Sequence, residues 1–167
     1  MLLAFICALV PVLCVLKIMS DLSKVKDLRK RTGLSFSEVK KALDEANGDV
    51  IRAMKVIKER GVAVAEKKSS HEVKEGVVDA YIHATKKLGA VIEVLCETDF
   101  VARNVEFQKL AHELAMQIAA AKPETVNDLL SQEFIKDQDI TVKDLINQYI
   151  AKLGENIQVG RFEIFQI

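Results

Sequence analysis

The chain opens on an almost unbroken apolar run, Met1 to Leu16, interrupted at Pro11 and ended by Lys17. Past Met19 the spacing of apolar positions becomes helical. Leu22, Val25 and Leu28 recur on one face after Ser20 and Asp21, whose oxygens can accept from the free N–H groups of a first turn, and Thr32-Gly33 supplies a left-handed stop. Ser35 with Glu38 forms a capping box for a second helix, which carries Phe36, Val39, Ala42, Leu43 and Ala46 and closes at Asn47-Gly48. Asp49 caps a third, with Val50, Ala53, Met54 and Ile57 on one face and Gly61 at its end. Helices of about ten to twelve residues with loops of about two or three predict a compact three-helix module over residues 19–61, of ubiquitin-associated-like type. Residues 62–75, VAVAEKKSSHEVKE, read as a solvated linker whose Val/Ala start can prolong the helix.

The period then shortens. Val77, Val78, Tyr81 and Ile82 lie in a β-rich run, Lys86-Lys87-Leu88-Gly89 supplies a turn, and Ile92, Val94 and Cys96 alternate within Ala90–Thr98 as in a strand with one dry face. After Thr98 helical spacing returns. Val105, Phe107, Leu110, Ala111, Leu114 and Ile118 make a long amphipathic helix ended by Lys122-Pro123. A short helical turn at Val126–Leu130 and a polar loop at Lys136–Asp139 lead to Thr141. With Asp144, it opens a helix bearing Val142, Leu145, Ile146, Tyr149, Ile150 and Leu153, and that helix stops at Gly154. The tail Ile157–Ile167 is again β-like. The predicted fold class is α+β: the three-helix module, then a core over residues 76–167 in which a small antiparallel sheet carries helices on one face.

Charge and cysteine content narrow the choice of function. The 167 residues carry 24 basic and 24 acidic side chains, which argues against a nucleic-acid binder working by bulk electrostatics. The distribution is uneven: residues 19–68 hold thirteen Lys/Arg and eight Asp/Glu, and residues 69–167 hold ten and sixteen. Two units with different surfaces are the simplest account. Cys7, Cys14 and Cys96 form no zinc or redox spacing and point to a reducing compartment, with Cys96 a small buried hydrophobe. The apolar start is shorter than the roughly twenty residues of a membrane span and lacks the marks of a secretory or transit signal. Residues 1–18 therefore read as lying upstream of the natural start, and neither a membrane nor a cofactor is called for.

No phosphate-cradling glycine loop, nucleophile elbow or paired carboxylate is present, and His71-Glu72 and His112-Glu113 lack the second histidine of a zinc helix. One stretch stands out: Thr98-Asp99-Phe100-Val101-Ala102-Arg103 places a large aromatic at a strand-to-helix corner. Thr98 or Asp99 ends the strand and caps the turn, and the plainest account makes Asp99 the N-cap and Phe100 a hydrophobic staple over the end of the sheet.

LCETDFVARNVEFQKLA also resembles the signature of the elongation factor Ts family, in which Thr-Asp-Phe-Val-Ala is followed by Lys or Arg. Two further blocks resemble the same family in the same order: Leu28–Gly33 continuing through Val39–Leu43 and Glu45–Asp49, and Ile150–Ile157 with Arg161-Phe162. The resemblance spans Met19 to Ile167 and leaves the apolar start without a counterpart. It implies a cytoplasmic translation factor, not an enzyme, that binds elongation factor Tu in its GDP form and promotes nucleotide release. On the same basis Thr98, Asp99, Phe100 and Val101 enter the partner's GTPase domain and disturb its magnesium site, with Phe100 as the wedge. Arg29, Phe36 and Ser37 would grip that domain from the front module, Ser37 replacing the larger apolar residue of some members. Because longer members repeat the core and insert a helical hairpin, the short form implies a homodimer.

Two other classes fit parts of the pattern. A general three-helix interaction module with a dimerisation domain accounts for the front but gives Thr98–Val101 no role beyond capping. A small enzyme pairing Cys96 with His83 or His112 has only the residue types in its favour.

Overall fold

The computed structural model describes residues 22–167, so the apolar start, Cys7, Cys14, Ser20 and Asp21 lie outside the described residues. Two compact units divide the chain, one reaching Glu59 and the other Arg60–Ile167. In the first, α1 (residues 22–32), α2 (Phe36–Glu45) and the start of α3 (Val50–Lys68) enclose Val25, Leu28, Val39, Leu43, Ala46 and Ala53. The capping box forms as the pattern requires: the Glu38 N–H donates to Ser35 Oγ, and the Ser35 N–H donates back to the Glu38 carboxylate. Helix α3 departs from expectation. It passes Gly61 without ending and continues to Lys68, through residues read as the start of a linker. Ala65 on this extension joins the core of the second unit, and that burial outweighs the helix penalty of a single interior glycine.

The second unit is built on an antiparallel sheet of β1 (Glu75–Ile82), β2 (Leu88–Cys96) and β5 (Ile157–Gln166), in the order β1-β2-β5. Strand β2 is central and its period-two pattern is real, since Ala90, Ile92, Val94 and Cys96 are all buried. Gly76 pairs with Leu95 where a Cβ would run into the Val94 and Leu95 backbone, so this close pairing demands glycine. Between β2 and β5 the chain forms α4 (Asp99–Ala102), α5 (Val105–Ala121), α6 (Val126–Ser131), β3 (Glu133–Phe134), β4 (Asp137–Thr141) and α7 (Val142–Leu153). Helix α5 packs on the dry face of the sheet through Phe107, Leu110, Ala111, Leu114 and Ile118. On the other face Val78, Ile82 and Phe165 stay exposed. The architecture is α+β.

Two elements exceed the expected β-β-α-α-β order. The corner after β2 folds into the separate helix α4, and part of the loop before α7 pairs as the β3-β4 hairpin. The hairpin is too short to show a strand pattern. It is tied instead to α5 by buried Gln117, whose amide donates to the Glu133 carbonyl at 3.0 Å and accepts from the Ile135 N–H at 2.9 Å. No helix among the described residues is long and apolar enough to cross a membrane.

Candidate partner-binding site

The strand-to-helix corner is assembled from its backbone outward. Strand β2 ends at Cys96, and Thr98, in extended conformation, becomes the N-cap of α4. Its hydroxyl accepts from the Val101 N–H at 3.5 Å, and its carbonyl accepts from the Ala102 N–H at 3.2 Å. The cap is thus Thr98 and not Asp99, whose carboxylate instead meets Arg103 Nη2 at 3.1 Å across the turn. Asn104 then caps α5, accepting from the Glu106 N–H at 2.9 Å. Two helices start within one short stretch, each with its own cap.

Burial sorts the apolar residues of the turn. Val101 and Ala102 turn inward and are buried. Phe100 points away from the core and is 86% exposed, so it staples neither the sheet nor the following helix. The ring is therefore left in water on a turn whose other apolar residues, Val101 and Ala102, are buried.

The corner is held by residues that local sequence pattern does not reveal. Glu155 lies 57 positions from Thr98, yet its carboxylate accepts from both the Thr98 N–H at 3.1 Å and the Thr98 hydroxyl at 2.6 Å. Next to it, the Asn156 N–H donates to Glu97 at 2.6 Å, and the Asn156 side chain donates to the His71 carbonyl at 2.7 Å. His71 Nδ1 sits 3.0 Å and 3.1 Å from the two Glu97 oxygens. The Asn156 bond, followed by His71, holds the Glu97 carboxyl below the usual carboxylate range. His71 had only a failed zinc motif to recommend it; its partner proves to be a carboxylate on the opposite side of the corner.

Cys96 is fully buried, and its thiol donates to the Thr98 carbonyl at 3.2 Å. Burial, reinforced by Glu155, pushes the thiol up to about 11, so it stays protonated at neutral pH and is no nucleophile. His83 bonds Thr85 and His112 bonds Asp79, which places both imidazoles with partners other than Cys96.

Arg29, Phe36 and Ser37 fall in the first unit. All three are exposed: Arg29 in the last turns of α1, Phe36 and Ser37 at the start of α2. The Gly33 N–H donates to the Arg29 carbonyl at 2.8 Å, closing α1 just before the turn that leads to Phe36.

Comparison with known proteins identifies the family. The family model described as Elongation factor TS matches residues 97–167, which begin at the corner. An elongation factor Ts of Carboxydothermus hydrogenoformans is 40% identical over 188 aligned positions, covering 86% of this chain and 87% of its own length. One of Herpetosiphon aurantiacus is 37% identical, covering 88% of this chain and 97% of itself. One of Thermoanaerobacter sp. is 40% identical, covering 85% and 92%. The first of these alignments is longer than the share of the 167 residues it contains, so that relative carries internal residues with no counterpart here. Similarity at this level across most of both chains shows that the protein belongs to the elongation factor Ts family.

Proposed function

We propose that the protein is a translation elongation factor that acts as a guanine-nucleotide exchange factor for elongation factor Tu. In this reading Thr98–Val101 enters the GTPase domain of the GDP-bound partner, Phe100 wedges between partner side chains, and the magnesium site behind the nucleotide is disturbed. The ubiquitin-associated-like front module grips the same domain through Arg29, Phe36 and Ser37. The factor works in the cytoplasm, as a homodimer that presents two cores, without cofactor or nucleic acid.

The observation that carries the proposal is the 86% exposure of Phe100 on a turn capped at its start by Thr98. Exchange needs no acid or base. It needs binding energy directed at a state of the partner that holds GDP poorly, and by linkage the two ligands weaken each other by the same factor. Each tenfold loss of nucleotide affinity requires about 1.4 kcal/mol of such differential binding. An aromatic that becomes buried at an interface supplies about 2 kcal/mol or more. A magnesium ion held chiefly by phosphate oxygens and waters is open to that disturbance.

The test is release of labelled GDP from elongation factor Tu, with the protein present or absent, and with Phe100→Ala in its place. The protein should accelerate release, and Phe100→Ala should reduce that acceleration at least about tenfold while still binding the partner. A wild-type protein without effect on release would overturn the proposal.

A further inference from the structure

An exposed phenylalanine on a four-residue helix gains no packing of its own, so its direction is set wholly by the backbone beneath it. So short a helix does not sustain itself, because nucleation costs more than its few hydrogen bonds return. Something outside the turn must hold it. Val101 and Ala102 anchor one side by burial. The other anchor is the N-cap, and the cap depends on which way the Thr98 hydroxyl points.

A hydroxyl has one proton and two lone pairs. One Glu155 oxygen accepts a hydrogen bond from the Thr98 hydroxyl at 2.6 Å, and the other accepts from the Thr98 N–H at 3.1 Å. A lone pair of the hydroxyl is thereby left facing the Val101 N–H, the donor that the turn must satisfy. Both contacts have an ionised acceptor, which makes them stronger and more directional than neutral ones. Glu155 is itself placed by what flanks it. Gly154 ends α7 in the left-handed conformation, with φ 75°, turning the chain back toward the corner. Asn156 fixes the following residue through Glu97 and the His71 carbonyl.

We infer that Glu155 is a positioning residue for exchange: through the Thr98 cap it holds the Asp99–Ala102 turn, and with it Phe100, in the projecting conformation before the partner arrives. This rests on the wedge reading of Phe100 proposed above. Without Glu155 the turn frays, and Phe100 must be ordered on the partner at a cost in conformational entropy. That cost falls on the step in which the nucleotide site is disturbed. Docking through Arg29 and Phe36, on the other unit, does not involve Glu155.

The experiment measures GDP release from elongation factor Tu across a range of factor concentrations, giving a maximal rate and a half-saturating concentration for each variant. Glu155→Ala should lower the maximal rate by about tenfold or more and leave the half-saturating concentration nearly unchanged. Glu155→Gln should restore only part of the rate, because its one amide oxygen can accept from the Thr98 N–H or from the hydroxyl but cannot replace both carboxylate acceptors. Since Glu155 acts through Phe100, the double variant Phe100→Ala/Glu155→Ala should exchange no more slowly than Phe100→Ala alone. An unchanged maximal rate in Glu155→Ala overturns the inference. So does a double variant showing the product of both losses, or a Glu155→Gln that melts early and fails along with Glu155→Ala, either of which marks a merely structural role. If wild type exchanges and Phe100→Ala exchanges equally well, the wedge reading is what fails. If Phe100→Ala is defective and Glu155→Ala is not, the positioning inference fails alone.

Discussion

Helices α4 and α5 follow one another in the chain and are fixed in different ways. Helix α5 runs from Val105 to Ala121 and is held by what it buries: Phe107, Leu110, Ala111, Leu114 and Ile118 are all inaccessible to solvent. Helix α4 spans only Asp99–Ala102, buries just Val101 and Ala102, and is held at its start by hydrogen bonds that Thr98 donates to a loop far along the sequence. Their phenylalanines show the consequence. Phe107 is fully buried, and Phe100 is 86% exposed. A buried element is placed by its own side chains, which leaves few of them free. An element held through its backbone can leave its largest side chain for something else to touch.

The comparison breaks most visibly on truncation of the two rings. Phe107→Ala should destabilise the protein by about 3–5 kcal/mol, the cost of a large core cavity. Phe100→Ala should change stability by less than about 0.5 kcal/mol, as a surface substitution does. Denaturant unfolding of both variants under one set of conditions checks this. Equal losses would mean that Phe100 packs in solution and that the contrast between the helices is false.

The join between the helices gives a smaller effect. Asn104 caps α5, and its own N–H donates to the Val101 carbonyl at 2.9 Å. Asn104→Ala removes only the side-chain cap and should cost about 1 kcal/mol of stability. The backbone link to α4 remains, so GDP release should stay close to that of the wild type. A large exchange defect would show that the two helices are not independently held.

These contrasts mark how far the sequence is legible. Burial periodicity identified α5 and the inward face of β2, because a repeated apolar spacing leaves few alternatives. The Ser35–Glu38 capping box and the Gly154 stop were equally plain, since their chemistry is local. The pattern placed an aromatic at the corner but could not say whether Phe100 faced in or out, and the local rule favoured a staple. Glu155, Asn156 and His71 could not be assigned from pattern at all. Glu155 and Asn156 reach Thr98 and Glu97 only through the pairing of β5 with β2, and His71 reaches Glu97 only through the pairing of β1 with β2. The β3-β4 hairpin was invisible for a related reason, as its anchor is the Gln117 side chain on α5.

The smallest effect concerns the acid side of the stability profile. The Glu97 carboxyl lies below its ordinary value because the Asn156 N–H donates to it, His71 lies beside it, and Lys68 adds a weaker attraction. In the unfolded chain those partners are gone and the carboxyl titrates in its usual range. Glu97 therefore contributes stability that is fully present above that range and is lost as the pH falls through its lowered folded value. Glu97→Gln keeps an acceptor for Asn156 but cannot titrate, so its unfolding free energy should fall less steeply than that of the wild type below about pH 4.5. At neutral pH the variant should be slightly the weaker, for want of a charged acceptor. Parallel urea titrations from neutral to acid pH measure both slopes. Superimposable profiles would mean that Glu97 is solvated like any surface carboxylate, and that the corner is held by Glu155 and burial without help from His71.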